Sequence, residues 1–229
     1  MPTNYKTVLC LANSRKLSGR CVAGKLTQGG AKGRWIRPVS DRPEEEISEY
    51  ERQYEDGSDP NVLDLVDIPF VAPRPKAYQP ENHLIDGPSY WKKVGTLAAK
   101  DLQAYVDKPA TLWTNDNSTL AGLNDRVALA EASKLNEGSL YLIDVKDLTL
   151  KVFAPGAAFG NPKKRVQGRF TFRQSSYHLW VTDPRVEREY LAQGDGEYPQ
   201  GRRYLTVSLG EPNKDDFCYK LIAAIIPPS

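Results

Sequence analysis

Short apolar runs, each closed by Gly, Pro, Asn or Ser, dominate both ends of the chain. Thr7-Val8-Leu9-Cys10-Leu11 is of strand length and stops at Asn13-Ser14, while Gly19–Ala23 and Arg34–Val39 read as two further strands around the turn-rich Gln28–Gly33. Residues 44–54 change period. Ile47, Tyr50 and Tyr54 fall at i, i+3 and i+7, a helical stripe, with Glu44, Glu45 and Glu46 in a first turn where negative charge complements the helix dipole. Asp56-Gly57 and Asp59-Pro60 end it, and Val62–Val71 returns to strand spacing. The middle carries helical spacing over Tyr90–Val106 and Asn124–Asn136, with the polar loop Thr114–Ser118 between them. Strands resume at Leu140–Val145, Leu148–Phe153, Arg165–Arg173, Tyr177–Thr182, Tyr204–Leu209 and Tyr219–Ile226. The pattern predicts a mainly β chain with helical insertions (α+β). Two β-rich parts, each the size of a small barrel, are joined by a helical segment. The expected boundaries are 1–87 for a barrel with an inserted acidic helix, 88–136 for the helical connector and 137–229 for the second barrel.

Composition narrows the class without altering that picture. Of 229 residues 40% are apolar and 26% charged, too apolar for a disordered chain and ordinary for a soluble globular one. The apolar run Leu221–Ile226 is far short of the roughly 20 residues that span a bilayer, so no membrane partner is expected. Met1–Lys6 shows no charged segment leading into an apolar core, the mark of an export leader. Cys10, Cys21 and Cys218 are odd in number and form no C-x-x-C pair. That argues against a disulfide scaffold or zinc ribbon and fits a reduced, cytoplasmic protein.

Charge alters the picture more. The total is only +2, yet residues 1–40 hold eight Lys/Arg and no acid, and residues 151–182 hold six Lys/Arg and again no acid. Residues 41–67 hold eleven acids against Arg42 and Arg52. Two acid-free stretches, one in each β-rich part, can converge on an anionic partner; alternatively the acidic segment packs beside one and neutralises it.

The strand Arg165–Arg173 alternates Arg165, Gln167, Arg169, Thr171 and Arg173 against Val166, Gly168, Phe170 and Phe172. Side chains alternate across a strand, so a guanidinium row lines one face while both phenylalanines enter the core. On the next strand His178 and Trp180 alternate with Tyr177, Leu179 and Val181. If they share the arginine face, Arg169, Arg173, His178 and Trp180 combine phosphate-pairing charge with a surface for stacking a base. A solvated sheet face with Trp180 under a loop is the alternative. In the first part Trp35 and Arg37 share a strand face with Arg34 opposite, and Arg15, Lys16 and Arg20 add cations. Neither the Walker A nor the Rossmann glycine spacing occurs. The connection Tyr78–His83 gathers Gln79, Glu81, Asn82 and His83, side chains equally suited to holding a ligand and to bracing the loop. Cys21 with His83 and Asp86 is the best nucleophile, base and orienting set, although Cys21 alternates like a core residue. Nothing in the spacing of Cys10, Cys21 and His83 requires a metal, and no cofactor is expected.

Several stretches resemble one family. They are Lys6–Lys16 with Gly19-Arg20-Cys21 and Ala23-Gly24, Trp35–Ser40, Gln79-Pro80-Glu81-Asn82, Val181–Pro184, and Leu205–Gly210 leading into Cys218–Leu221. They are similar to bacterial proteins carrying a dual-OB-containing domain. The resemblance implies two OB-like barrels and no particular activity or catalytic residue. OB barrels often take single-stranded nucleic acid or oligosaccharide, which is an analogy of fold. The function expected is non-catalytic binding of single-stranded DNA or RNA on basic strand faces, through Arg15, Lys16, Arg20, Arg34, Trp35, Arg37, Arg169, Arg173, His178 and Trp180. The alternatives are an adaptor subunit of a bacterial multi-gene system, docking a protein partner through Glu44–Asp59, and a Cys-dependent enzyme using Cys21 and His83.

Overall fold

Val8 to Ala12 are buried in succession because β1 (Asn4–Lys16) is paired on both sides, with β2 (Gly19–Leu26) and with β4 (Asp64–Pro73). The computed structural model describes residues 4–135 and 138–228. The boundary expected between 136 and 137, and the chain ends at 1–3 and 229, lie outside them. The chain divides into one unit ending at Tyr105, to which Gly138 and Ser139 also belong, and a second beginning at Val106 and resuming at Leu140.

In the first unit β3 (Trp35–Val39) pairs antiparallel with β2 and parallel with β5 (Asn82–Ile85), which in turn pairs with β4. The order β1-β2-β3-β5-β4-β1 closes a five-stranded barrel, and β6 (Lys92–Thr96) adds to β4. Its core includes Val8, Ile36, Ile68, Phe70 and Trp91. Gly24 lies where β1 bulges between Cys10 and Ala12, and a Cβ there would run into the Leu9 carbonyl.

Two helical expectations give way here. The acidic stretch forms only one turn, α1 (Glu49–Arg52), opened by a reciprocal capping box between Ser48 and Glu51. Ile47 and Tyr54 of the stripe are buried, but Tyr50 is 65% exposed, because Ile47 bridges to Arg20 in a strand-like contact instead of joining the helix. Over Tyr90–Val106 the chain forms β6 and then a 3-10 helix, Ala99–Tyr105. Gly95 inside a helix would cost about 1 kcal/mol, whereas along β4 the segment gains a ladder and the Lys93–Asp64 ion pair.

The second unit repeats the ring. The two strands expected before Phe153 are one continuous β8 (Leu140–Phe153), followed by β9 (Arg165–Phe172), β10 (Ser175–Val181), β11 (Gly196–Pro212) and β12 (Phe217–Ile226). They pair in the order β8-β9-β10-β12-β11-β8, with β10 and β12 parallel as β3 and β5 are. The helix expected over Asn124–Asn136 is replaced, in its described part, by β7 (Arg126–Ala128) on the edge of β12 and one turn, α2 (Leu129–Ala132). A helix that the apolar pattern does not announce, α3 (Pro184–Gln193), starts at the Asp183 N-cap with Pro184 as its first residue. In both units the ring joins first strand to second, second to third, third to fifth, fifth to fourth and fourth to first, with a helix between the third and fourth. The architecture is therefore mainly β and dual OB-like. Among the described residues no helix is long and apolar enough to cross a membrane.

Candidate nucleic-acid interface

The cations of the first unit fall into two groups at opposite ends of β2. Arg15 and Arg20 are cross-strand partners beside the β1–β2 turn, with Lys16 opposite Gly19. At the other end the β2–β3 turn is folded by Gly29 and Gly33, both in the left-handed region at φ of 72° and 83°. That turn displays Lys32 and Arg34 to solvent. Six residues of strand separate Arg20 from Leu26, so the groups stand roughly 20 Å apart. Trp35 is half-buried opposite Lys25, whose ammonium lies 5.1 Å from the indole centre and donates to the Tyr105 carbonyl at 2.7 Å. Among the described residues no acidic side chain forms an ion pair with Lys32 or Arg34.

Arg37 goes elsewhere. It is buried, donating to Glu81 Oε1 at 3.2 Å, to Ser139 Oγ at 2.6 Å and to Cys21 Sγ at 2.9 Å. The Ser139 hydroxyl donates to Glu81 Oε1 and its backbone N–H to Glu81 Oε2. Burial works against the charge of Arg37, yet Cys21 and Glu81 outweigh it and hold the guanidinium above its ordinary pKa. The loop residues serve the same interior. Gln79 and Asn82 are buried and bonded to each other, and Asn82 faces Arg37 across the β3–β5 ladder. His83 lies half-buried, its Nδ1 3.0 Å from the Glu81 carbonyl and its ring edge-on to Phe70; burial lowers its pKa. Cys21 and His83, the nucleophile and base of the enzyme reading, thus have different partners. Arg37, Gln79, Glu81 and Asn82 offer almost no surface to a ligand: the buried guanidinium and carboxylate partner each other, and the two buried amides are bonded to each other.

In the second unit the strand alternation holds. Val166, Phe170 and Phe172 are buried, and Arg169 stands opposite His178 as Gln167 stands opposite Trp180. The face is not an open platform, however. Arg169 donates to Gln167 at 3.0 Å and meets Glu197, which also pairs with Lys151. Trp180 is covered, with the Arg165 guanidinium 4.1 Å from its ring centre and Phe153 at 5.7 Å. The strand ends at Phe172, so Arg173 sits exposed in the left-handed first position of the β9–β10 turn. His178 is half-buried and bonded through its backbone to Leu123; burial, then Arg169 and Lys151, lower its pKa.

Sequence reasoning missed two groups. Ser139 carries no local signal, since its partners are 58 and 102 residues away. Lys220 did leave one, a lone charge in an apolar strand. It is fully buried on β12, with Nζ donating to the Thr114 carbonyl at 2.7 Å and to Asn115 Oδ1 at 3.3 Å, above the Tyr177 ring. Burial pushes its pKa down to about 7, against the attraction of Asp125 and Asp116. The acidic segment packs on the β1–β2 turn, where Ile47 exchanges backbone hydrogen bonds with Arg20, and its carboxylates pair with other cations as well: Glu45 with Arg74 and Lys76, Glu46 with Arg42, Asp59 with Arg52, and Asp64 with Lys93.

Two closed rings of one strand order define a protein of two tandem OB-type barrels, an architecture used for binding. Residues 6–225 match the family model of the dual OB-containing domain, and the chain belongs to that family. A search of curated proteins gave no match.

Proposed function

We propose that the protein binds single-stranded nucleic acid, with the β2–β3 turn of the first barrel as a principal contact. The observation that carries this reading is the exposed pair Lys32 and Arg34, within an acid-free stretch and next to half-buried Trp35. They project from the turn that joins the second and third strands of an OB ring, the strand pair on which OB domains take oligonucleotides. Cations there hold phosphates, and the indole edge gives an apolar neighbour to a base.

The test is a titration of fluorescein-labelled oligo(dT) and oligo(U) by anisotropy over a salt series. Five phosphate contacts give a log–log slope of about −3.5 for single strands, and K32E/R34E should flatten it by about 1.4. Absence of binding to both oligonucleotides at low salt, where phosphate contacts are strongest, overturns the reading.

A second reading has one observation behind it. Tyr50 is 65% exposed between the exposed Glu49 and the acids that follow, a surface suited to a basic protein partner at Glu44–Asp59.

A further inference from the structure

Gln167 falls on the outward face of the second strand of its ring, yet none of it is exposed. A loop of the same unit, Asp116–Asp125, lies over it. The Gln167 amide donates to the Ala121 carbonyl at 2.7 Å. Leu123 and His178 exchange backbone hydrogen bonds at 3.4 and 3.1 Å, and the Asn124 amide donates to the Ser176 carbonyl at 3.0 Å. These four contacts all fall on β9 and β10, the strand pair that corresponds to the ligand face of an OB barrel.

The loop is bonded to itself at least as much as to the barrel. Its ends are clasped where the Asp116 N–H donates to Asn124 Oδ1 at 2.8 Å and the Asn124 N–H to Ser118 Oγ at 2.9 Å. The Asp125 carboxylate accepts from the Thr119 N–H at 2.8 Å and its hydroxyl at 2.6 Å, and the Gly122 N–H donates to Thr119 Oγ1 at 3.0 Å. A loop closed on its own side chains in this way can move as one body. It also lacks an apolar anchor, since no residue from Asp116 to Asn124 is buried and Leu120 is 88% exposed. The chain on either side is fixed. The Tyr177 hydroxyl and Lys220 hold residues 111–115, and β7 pairs with β12. Between these anchors Asp116 and Asn124 are left-handed, at φ of 73° and 50°, and both residue types pass between that conformation and an extended one at little cost. The first barrel differs. There Lys25 of β2 donates to the Tyr105 carbonyl, but the covering 3-10 helix carries the fully buried Leu102. Four hydrogen bonds without apolar burial make a contact that opens locally, well short of global unfolding.

We infer that Asp116–Asp125 is a lid on a latent nucleic-acid face of the second barrel, and that it lifts to give a single strand the β9–β10 surface around Gln167, Arg169 and His178. The inference rests on the nucleic-acid reading above and adds to it a second site that the chain itself occludes. Lifting the lid frees the Gln167 amide and the His178 main chain to bond base edges or phosphates, beside the partly exposed Arg169 that Glu197 shares. The apparent affinity of this face is lowered by the fraction of molecules in which the lid is open.

The experiment uses the full chain, with fluorescein-labelled oligo(dT) anisotropy for affinity and hydrogen exchange for the lid. T119A/N124G removes two side chains that hold the lid, leaves the face intact and puts glycine at a left-handed position. It should bind oligo(dT) about fivefold or more tightly, the equivalent of one lost closing hydrogen bond, and adding R169Q should cancel the gain. In the parent, saturating oligo(dT) should speed exchange over residues 117–123, a readout that needs no variant. Unchanged or slowed exchange there at saturation overturns the inference and leaves the binding reading intact. So does parent-like affinity in T119A/N124G, or a gain that survives R169Q. Failure of the parent to bind any oligonucleotide overturns the reading on which the inference rests.

Discussion

Lys220 and Arg37 show how two buried cations come to opposite ends by the partners they meet. Arg37 is buried against a carboxylate and keeps its charge; Lys220 is buried against a carbonyl, an amide and a ring, and its charge is disfavoured. Between about 7 and about 10.5 the unfolded chain therefore holds a proton on Lys220 that the folded chain has released. Stability should rise with pH from about 7 to about 9, by a few kcal/mol at most, with the full penalty below; above about 9 the buried Cys10 and Cys218 thiols, raised to about 12 and about 11, work the other way because only the unfolded thiols ionise. His83 and His178 also have lowered values, but their contribution falls below about 6.5 and does not overlap. Urea denaturation from pH 6 to about 9 measures the effect, and K220M should remove the rise. A parallel rise in K220M would assign it to another group. Neither outcome was legible beforehand. A lone cation in an apolar strand is visible, but its partner's identity depends on residues 44 to 106 positions away.

At the scale of elements, strands with strict alternation were legible and helices were not. The Arg165–Phe172 pattern gave the apolar face correctly, because a strand packed on a core imposes period two on that face, whereas on the arginine face Gln167 is buried and Arg173 falls beyond the strand. The helical spacings at 44–54, 90–106 and 124–136 had no such constraint. Short ring-edge segments there took ladders from β4 and β12 that periodicity cannot register. The missed α3 was announced only by Asp183-Pro184, a capping signal rather than an apolar one. Closing the rings places a glycine on the second strand of each, and the two differ in what an added methyl group would touch. At Gly24 it meets the Leu9 backbone carbonyl, which cannot move without the strand; at Gly168 it meets the Cδ1 end of Ile222, which can rotate. G168A should cost about 1–3 kcal/mol, the usual range for overpacking, and G24A clearly more, both read from urea midpoints. Equal losses would mean that β1 yields as easily as an isoleucine terminus.

For the whole molecule, the two-barrel plan was legible in its broad lines, from two strand-rich ends around a different middle. The repetition of one ring order was not, because ring order is a matter of which strands pair and leaves no periodic trace in sequence. Each ring is complete within its own unit. A fragment spanning 106–228 should therefore unfold in a single cooperative urea transition by circular dichroism. A fragment ending at Tyr105 retains its ring but lacks the two hydrogen bonds from Ser139 to Glu81. It should be less stable than the first unit of the full chain by several kcal/mol, at about 1.5–3 kcal/mol for each hydrogen bond to a charged group. Equal stability would show that the Arg37–Glu81 pair needs no third member.

The return of the chain to the first barrel at Gly138 and Ser139, after an excursion through the start of the second, sets an order of events during synthesis. All five strands of the first ring have left the ribosome while Glu81 still waits for its hydroxyl partner, which is 58 residues behind it in the chain. At about 5–20 residues per second that is a delay of several seconds. For that interval the nascent barrel holds a carboxylate and a guanidinium with two acceptor contacts and one donor contact still unmet, and the second half of the chain is already being made when the first is finally sealed.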